Sequence, residues 1–202
     1  MSEEKLVTFV IPSVARDTLT RSINSLLAQT SDNWGAIVGF DGIKKEQINF
    51  DLLEDERIQY LFLEKTGQLK DASRKHSKAG QVRNKIIQHV ETKWIAFLDD
   101  DDTVDREYVH VLSEEDEKED SDCFIFRMKA ANGDVIPFSG SKQIRVGQVG
   151  ISFCVKADFI KQKSISFNNS ETEDYEMIKS ISSSGGRIKL LEQLGYYVGE
   201  KK

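Results

Sequence analysis

Four consecutive aspartates, at positions 99–102, directly follow the apolar segment 94–98. A short apolar run of this kind predicts a buried strand, and open α/β sheets bind ligands at the carboxyl ends of their strands. Because residues alternate faces along an extended chain, Asp99 and Asp101 are predicted to point the same way, where their charges repel unless a cation neutralises them. Hard divalent ions such as Mg²⁺ and Mn²⁺ take oxygen ligands and bridge to phosphates. The pattern therefore predicts a site for a metal ion and a diphosphate; the structural alternative is an acidic turn that caps the next helix.

Polar residues also follow the first two predicted strands, at the same edge of the sheet. Asp41 ends the second strand and could accept hydrogen bonds from a base imide or a ribose hydroxyl; the alternative is a plain turn with Gly42. Pro12 and Ser13 close the first strand, with Arg16 nearby, and a turn is the alternative there as well. These groups are expected to lie beside the aspartates, because the carboxyl ends of parallel strands share one edge.

Two predicted helices begin with charged residues. Arg83 lies near the start of the helix predicted over 80–90, where anions are favoured, so its side chain could meet a base or a phosphate; a solvated arginine is the alternative. Glu173 and Asp174 open a later helix, and Asp174 could act as a general base on a sugar hydroxyl. Glu173 has a structural explanation, because Ser170 three residues earlier would complete a capping box.

Alternating strands and helices position these residues. Strands are predicted over 6–11, 35–40, 57–63, 94–98, 123–128, 135–138 and within 147–155, with a last strand pair within 187–198. Helices are predicted from a cap at Asp17 and over 80–90, 157–162 and 173–183, the last ended by Gly185 and Gly186. Asn132-Gly133 predicts a hairpin. The predicted fold class is α/β, with a central, mostly parallel sheet flanked by helices and a small antiparallel hairpin in the second half.

Two charged segments are predicted to lie on the surface. The acidic stretch 113–122 is expected to be a solvated helix end and loop. The stretch 64–80 is polar and basic, and it is long enough to be a functional loop, such as a lid over a bound ligand, or a flexible surface loop.

Composition narrows the class of protein. With 202 residues, of which 39% are hydrophobic and 31% charged, the chain is expected to be one soluble globular domain over 1–202. The net charge of −6 argues against a general nucleic-acid binder. No stretch approaches the ~18 apolar residues of a membrane span, and the first residues lack a signal-peptide pattern. Cys123 and Cys154 lie in apolar runs and are predicted to be reduced and buried, which favours a cytoplasmic protein.

The sequence has neither a G-x-G-x-x-G pattern nor a Walker pattern, so a phosphate would have to be held by a metal ion or by side chains. Six segments, in order, resemble the family 2 glycosyltransferases of the GT-A fold: 7–13, 25–30, 38–42, 83–84, 95–102 and 173–176. They span nearly the whole chain. Each segment alone is moderately specific, whereas six in the right order are quite specific.

The resemblance implies donor-side roles for the candidate residues. Three residues would line the nucleotide pocket: Pro12, Ser13 and Arg16. Asp41 would contact the base, and Arg83 would be a further nucleotide contact. Asp99 would be the ribose-side carboxylate of the DXD motif and Asp101 the metal ligand. With four aspartates the register is open by one residue, so Asp100 remains a donor-side candidate.

The same resemblance implies an acceptor side in the second half of the chain. Asp174 would be the catalytic base. The acceptor-side residues would be Gly150, Ile151, Ser152 and Glu173. The nucleotide-sugar-binding half would then be 1–112 and the acceptor-binding half 113–202.

The implied function is metal-dependent, inverting transfer of a sugar from a nucleoside-diphosphate sugar to a hydroxyl of a saccharide or another acceptor. The metal would be Mn²⁺ or Mg²⁺ and the nucleotide, by default, UDP; no nucleic acid or membrane span is implied. A sugar-phosphate nucleotidyltransferase and a non-catalytic nucleotide-sugar binding module are the alternatives. The first of these usually has a glycine-rich loop after its first strand, and segment 10–16 has no glycine.

Two features depart from the family pattern. Many relatives offer a histidine near the C-terminus as a further metal or phosphate ligand, and segment 194–199 has none. The chain also ends earlier than many relatives, which is expected either of a minimal enzyme or of one domain of a longer protein.

Overall fold

The computed structural model describes residues 5–48, 54–66, 79–141, 143–168 and 170–199. Nine strands of this part of the chain form one sheet: β1 (Val7–Ser13), β2 (Trp34–Asp41), β3 (Ile58–Leu63), β4 (Trp94–Phe97), β5 (Thr103–Val104), β6 (Cys123–Lys129), β7 (Val135–Ile136), β8 (Phe153–Lys156) and β9 (Ile188–Tyr197). Five α-helices accompany them: α1 (Leu19–Leu27), α2 (Ala79–Ile87), α3 (Tyr108–Lys118), α4 (Ala157–Gln162) and α5 (Glu173–Ser183). A short 3₁₀ helix covers Lys45–Gln47.

The sheet is parallel in its first half and mixed in its second. The strand order is β3-β2-β1-β4-β8-β6-β9-β5, and β7 pairs with β6 as the predicted hairpin. The strands β3, β2, β1 and β4 are mutually parallel, so their carboxyl ends share one edge. Strand β8 runs antiparallel to both of its neighbours, while β9 is parallel to β6 and antiparallel to β5. The predicted α/β class is therefore observed.

The aspartate segment 98–102 curls the sheet. It leads from β4, in the middle of the strand order, to β5 at its far end. Within it, Asp102 N–H donates to the Asp99 carbonyl at 3.1 Å, which is a turn rather than the predicted extension of the strand. A turn holds its ends within about 7 Å, whereas four strand spacings of about 4.8 Å would separate β4 from β5 in a flat sheet. The end of β9 is therefore brought close to the turn formed by Asp99–Asp102, which we call the acidic turn.

The core consists of large side chains that are almost fully buried. Phe97 of β4 contacts the rings of Phe153 and Phe167, with centroids 5.0 and 5.1 Å away. Tyr108 of α3 stacks on Phe126 of β6 at 4.0 Å. Both cysteines are buried free thiols, as predicted, and burial raises their pKa values. Among the described residues, no helix combines the length and apolar composition needed to cross a membrane.

Two local predictions at helix ends are wrong. Helix α1 begins at Leu19 after Thr18, without a side-chain cap, so Asp17 does not cap it. Glu173 opens α5, but Thr172 is the N-cap residue and no side-chain cap bond forms, because Glu173 binds an arginine instead.

Two longer segments also differ from prediction. The predicted last strand pair is one strand, β9, in which Gly195 packs against Phe126 with no room for a side chain. The acidic stretch is not wholly solvated: Glu115 is buried and accepts hydrogen bonds from Lys189 and Lys118. The predicted basic loop lies mostly outside the described residues, which omit 67–78.

Candidate active site

A cleft of about 550 Å³ opens at the carboxyl ends of β1, β2 and β4. Ten of the residues predicted from the sequence line it: Pro12, Ser13, Arg16, Asp41, Asp99, Asp100, Asp101, Gly150, Ile151 and Asp174. Seven further residues complete the lining: Val14, Ala79, Val82, Asp102, Met128, Val198 and Gly199. The cleft thus combines groups from both halves of the chain.

The first part of the acidic turn is held by two arginines. Asp99 accepts a hydrogen bond from Arg83. Asp100 is buried and accepts from Ser13 Oγ at 2.7 Å and from Arg16 Nη1 at 3.1 Å. Burial raises the pKa of the Asp100 carboxyl, although these two donors oppose the shift. Asp101 is a third exposed and accepts from the same Arg16 nitrogen at 2.8 Å.

The last aspartate of the turn faces the end of β9. Asp102 is buried, and its carboxylate accepts from Tyr196 Oη and from the Gly199 N–H, both at 2.8 Å. Burial raises the pKa of Asp102 to about 6. The Tyr196 hydroxyl in turn accepts from the Asp99 N–H at 3.1 Å. Sequence reasoning missed Tyr196, because an aromatic residue in a late strand is equally typical of a core position.

Three of the four carboxylates converge. Oxygen atoms of Asp99, Asp101 and Asp102 all lie within 4.8 Å of one another. A set of carboxylate oxygens suits hard ions such as Mg²⁺ or Mn²⁺ and not the softer metals that prefer nitrogen or sulfur. These side chains therefore fit a divalent ion. Asp100 is turned away from the group towards Ser13 and Arg16.

Asp174 lies in the first turn of α5 and lines the cleft. Its side chain is 29% exposed, and its Oδ1 has no hydrogen-bond partner among the described residues. Burial raises the pKa of Asp174 to about 7; the Arg83 charge opposes this shift, and the Asp99 and Glu173 charges add to it. A carboxylate with this pKa is suited to accept a proton near neutral pH.

Arg83 lies behind the cleft and is 2% exposed, so the solvated alternative is wrong. Its guanidinium donates to Asp99 and, at 2.7 Å, to Glu173, and it lies 4.0 Å from Asp174. Burial opposes its charge, but the three carboxylates outweigh burial and raise the pKa of Arg83 above its usual value. Glu173 is itself buried, and burial raises its pKa.

Two other predicted residues make local hydrogen bonds. Asp41 Oδ1 accepts from the Thr66 N–H and Oγ1, both at 2.6 Å, at the edge of the cleft. Ser152 is 1% exposed, and its Oγ donates to the Phe126 carbonyl at 2.8 Å. Of the predicted acceptor-side loop, Gly150 and Ile151 therefore line the cleft, whereas the Ser152 hydroxyl is engaged in the core.

The family described as "Glycosyl transferase family 2" matches residues 8–172, well over half of the chain. The chain belongs to glycosyltransferase family 2. The resemblance identified from the six segments is thereby confirmed.

Two curated glycosyltransferases align with about half of the chain. WfgD of Escherichia coli, named as a UDP-Glc:α-D-GlcNAc-diphosphoundecaprenol β-1,3-glucosyltransferase, is 33% identical over 104 residues, 50% of this chain. TuaG of Bacillus subtilis (strain 168), provisionally named as a teichuronic acid biosynthesis glycosyltransferase, is 30% identical over 102 residues, 48% of this chain. Each match covers 36% of the relative, so the aligned part is about a third of the length of these proteins.

Solved structures of TarS from S. aureus share the fold of this chain. TarS 1–349 of S. aureus in complex with UDP-GlcNAc superposes with a TM-score of 0.72 at 18% identity, over 98% of this chain and 59% of that one. Its complex with UDP gives a TM-score of 0.69 at 16% identity, over 97% and 61%. This likeness confirms the GT-A fold of this family 2 glycosyltransferase chain.

Proposed function

We propose that this protein transfers a sugar from a nucleoside-diphosphate sugar, by default a UDP-sugar, to a hydroxyl of a saccharide or another acceptor, with inversion. The observation that carries the proposal is that the acidic turn and Asp174 line one cleft. A departing diphosphate gains negative charge while the acceptor loses a proton. The cleft offers separate groups for these two tasks.

The chemistry assigned to Asp174 is proton removal. The acceptor oxygen attacks the anomeric carbon from the face opposite the diphosphate. The bond between that carbon and the diphosphate oxygen breaks, the diphosphate keeps the electron pair, and Asp174 takes the acceptor proton. With one base and no protein nucleophile, this single displacement inverts the anomeric carbon.

Asp99, Asp101 and Asp102 would hold a divalent ion, Mn²⁺ or Mg²⁺. When bound, such an ion supplies Lewis-acid stabilisation of the leaving diphosphate. Pro12, Ser13 and Asp41 are assigned to the nucleotide, so 1–112 would be the donor half and 113–202 the acceptor half. That division remains a proposal.

The relatives favour a uridine nucleotide. WfgD is named for UDP-Glc, and TarS has been solved with UDP-GlcNAc and with UDP. The two sugars differ, so both donors are proposed as the first to test.

The deciding experiment measures sugar transfer from UDP-glucose and UDP-N-acetylglucosamine to a panel of saccharide acceptors, with MnCl₂ or with EDTA. We expect transfer to require Mn²⁺ and to give the inverted anomer by NMR. Asp101→Asn and Asp174→Asn should each lower kcat by about 100-fold or more, as loss of a metal ligand or of a general base does. Asp32→Asn is the matched control, because Asp32 is 91% exposed and pairs only with Arg57 among the described residues.

Other outcomes would contradict the proposal. Transfer that survives in both cleft variants would exclude these roles. Donor binding without turnover across the acceptor panel would support a non-catalytic module instead. Pyrophosphate release from a nucleoside triphosphate and a sugar phosphate would support a nucleotidyltransferase.

A further inference from the structure

One face of α2 is joined to the segment that leads into α5. The Asn84 side chain donates from Nδ2 to the Phe167 carbonyl at 2.8 Å and accepts at Oδ1 from the Phe167 N–H at 2.9 Å. A side-chain amide that satisfies both backbone groups of one residue fixes that residue in position and orientation. Asn84 therefore anchors the chain six residues before α5 begins at Glu173.

Gly80, one helical turn before Asn84 on α2, lets this face of the helix approach the 167–168 segment closely. A Cβ at Gly80 would lie 2.9 Å from Phe167 Cβ and 3.2 Å from the Asn168 carbonyl oxygen. A side chain there would force α2 and the 167–168 segment apart. The approach that glycine permits brings Arg83, on the same face, within reach of Glu173.

Arg83 joins three separate parts of the chain. One arm of its guanidinium donates to Glu173 in α5 and the other to Asp99 in the acidic turn, while Cζ lies 5.2 Å from the centroid of the Phe167 ring. A planar, forked guanidinium can bind two carboxylates from different segments at once, which an ammonium group does less well. At 2% exposure, Arg83 does not itself line the cleft.

The first turn of α5 needs such an anchor. Its N-cap residue, Thr172, makes no side-chain cap bond, and Asp174 Oδ1 has no hydrogen-bond partner among the described residues. Because Asp174 Oδ1 lies 4.0 Å from Arg83 Nη1, beyond hydrogen-bond distance, the position of the carboxylate depends on the backbone of α5, which α2 holds through Asn84 and Arg83.

We infer that Arg83 and Asn84 are positioning residues that hold the base Asp174 in register with the acidic turn, and that Arg83 is not a nucleotide contact. The inference rests on the proposed function, which makes Asp174 the base. It predicts a defect in the chemical step with donor binding preserved, because neither side chain lines the cleft.

The experiment compares Asn84→Ala, Arg83→Lys and Arg83→Met with the wild type. We expect kcat to fall by about 10- to 100-fold in Asn84→Ala, since a small misplacement of a catalytic group costs this much. In Asn84→Ala, the donor KM and the dissociation constant of UDP with Mn²⁺, measured by calorimetry, should change less than about threefold, well under the fall in kcat. In the Arg83 variants the same is expected of UDP binding without Mn²⁺, because Arg83 contacts Asp99, a proposed metal ligand. Arg83→Lys should retain more kcat than Arg83→Met, because the charge remains although the fork is lost.

Asn132→Ala is the matched control, because Asn132 is an exposed hairpin residue that hydrogen-bonds to Asp134. It should match the wild type in every measurement. Unchanged kcat in both Asn84→Ala and Arg83→Lys would overturn the inference. UDP binding that weakens in these variants as much as kcat/KM falls would also overturn it, in favour of a nucleotide contact.

A second measurement separates this inference from the proposed function. Hydrogen exchange of the backbone amides 176–179, the first of α5 that have helical hydrogen bonds, should be faster in Asn84→Ala than in the wild type and in Asn132→Ala, whether or not the wild type transfers sugar. If the wild type showed no transferase activity, faster exchange in Asn84→Ala than in the wild type would leave the anchoring supported while the proposed function failed. Unchanged exchange would overturn the anchoring itself. The exchange measurement needs no variant of Arg83, so it can be made even if the Arg83 variants fail to fold.

Discussion

Four chemically identical side chains have four different environments in the acidic turn. Asp99 binds a buried arginine, and Asp100 binds Ser13. Asp101 is the more exposed of the two aspartates that pair with Arg16, and Asp102 is buried against Tyr196. Their charge and oxygen chemistry follow from residue type. The partners, which decide which carboxylates converge, follow from neighbours far away in the sequence.

At the residue scale, Arg16 is expected to compete with a metal ion. Its guanidinium bridges Asp100 and Asp101. An ion bound at Asp101 must therefore displace the guanidinium or share the Asp101 oxygen with it. The arginine is 52% exposed, and an exposed ion pair of this kind contributes little, so Arg16→Ala should tighten Mn²⁺ binding without nucleotide by about two- to fivefold. Calorimetric titration with MnCl₂ tests this, with Asp101→Asn as the variant that should lose binding. Unchanged or weaker Mn²⁺ binding in Arg16→Ala would exclude the competition.

A second prediction at this scale concerns the pH dependence of the rate. Asp174 must be deprotonated to act as a base, and burial raises its pKa to about 7 against the opposing charge of Arg83. The carboxylates of Asp99 and Glu173 raise it as well, whereas a bound divalent ion would lower it. We therefore expect kcat/KM to rise with pH and to level off at or slightly below pH 7 in saturating Mn²⁺. A rate that is constant between pH 5 and 8 would contradict the role of Asp174.

At the element scale, β9 makes two sets of contacts that its sequence does not predict. Its body pairs with β6, and its end meets the acidic turn through Tyr196. A glycine at position 195 is typical of a turn in the sequence, yet Gly195 lies within the strand. The residue is glycine there because Phe126 occupies the space where a side chain would be. The prediction of a strand pair failed for this reason.

The Tyr196 contact predicts a measurable cost. Tyr196→Phe removes the donor to Oδ2 of the buried Asp102, which keeps only the Gly199 N–H at Oδ1, and it removes the acceptor of the Asp99 N–H. The free energy of unfolding should fall by about 1–3 kcal/mol in urea, and Mn²⁺ binding should weaken because the turn loses its support. Tyr197→Phe is the matched control; its hydroxyl donates to Asp105 at 3.0 Å in a half-buried place and should cost about 0.5–1.5 kcal/mol. Equal effects of the two substitutions would contradict the prediction.

At the scale of the whole molecule, carboxyl groups whose pKa values are raised by burial lie together in the cleft and, in the case of Glu173, directly behind it. Asp102 titrates at about 6 and Asp174 at about 7, and the pKa values of Asp100 and Glu173 are raised too. Since these groups titrate near 4 when unfolded, the folded state binds more protons between about pH 4 and 7. The stability that they contribute is therefore greatest at low pH and is lost as the pH rises through this window.

Asp55 acts in the opposite direction. Its hydrogen bond with Arg57 lowers its pKa to about 2, so the stability from this carboxylate is lost as the pH falls from about 4 towards 2.

Between pH 5 and pH 8 the carboxyls with raised pKa values therefore decide how stability depends on pH. Without divalent ions, Tm should be higher at pH 5 than at pH 8. Asp102→Asn should reduce that difference, and Mn²⁺ with UDP should raise Tm at pH 8 by binding the folded state. Thermal melts across this range test the prediction, and a Tm that rises steadily from pH 5 to 8 would contradict it.

Much of the fold was accessible from the sequence because it depends on local patterns. Apolar runs predicted β1, β2, β4 and β6, since burial on both faces of a parallel sheet requires such runs. The helices α4 and α5 have the predicted bounds, because their periodicity and the glycines after α5 are local features. Seven of the ten predicted residues that line the cleft lie there for a related reason, because each stands at or just after the carboxyl end of one of the parallel strands β1, β2 and β4, and these ends share one edge of the sheet. Gly150, Ile151 and Asp174 reach the cleft from other segments.

What the tertiary structure alone decided lies in contacts between distant segments. The sequence by itself determined that Asp99–Asp102 follow a buried strand and that Asp174 opens a helix; it contained nothing that pairs Arg83 with Glu173, 90 residues away, or Asp102 with Tyr196, 94 residues away. Residue type and spacing determine which chemistry a side chain can perform. Burial and partner determine whether it performs that chemistry, and both depend on how the sheet curls to bring β9 back to the acidic turn.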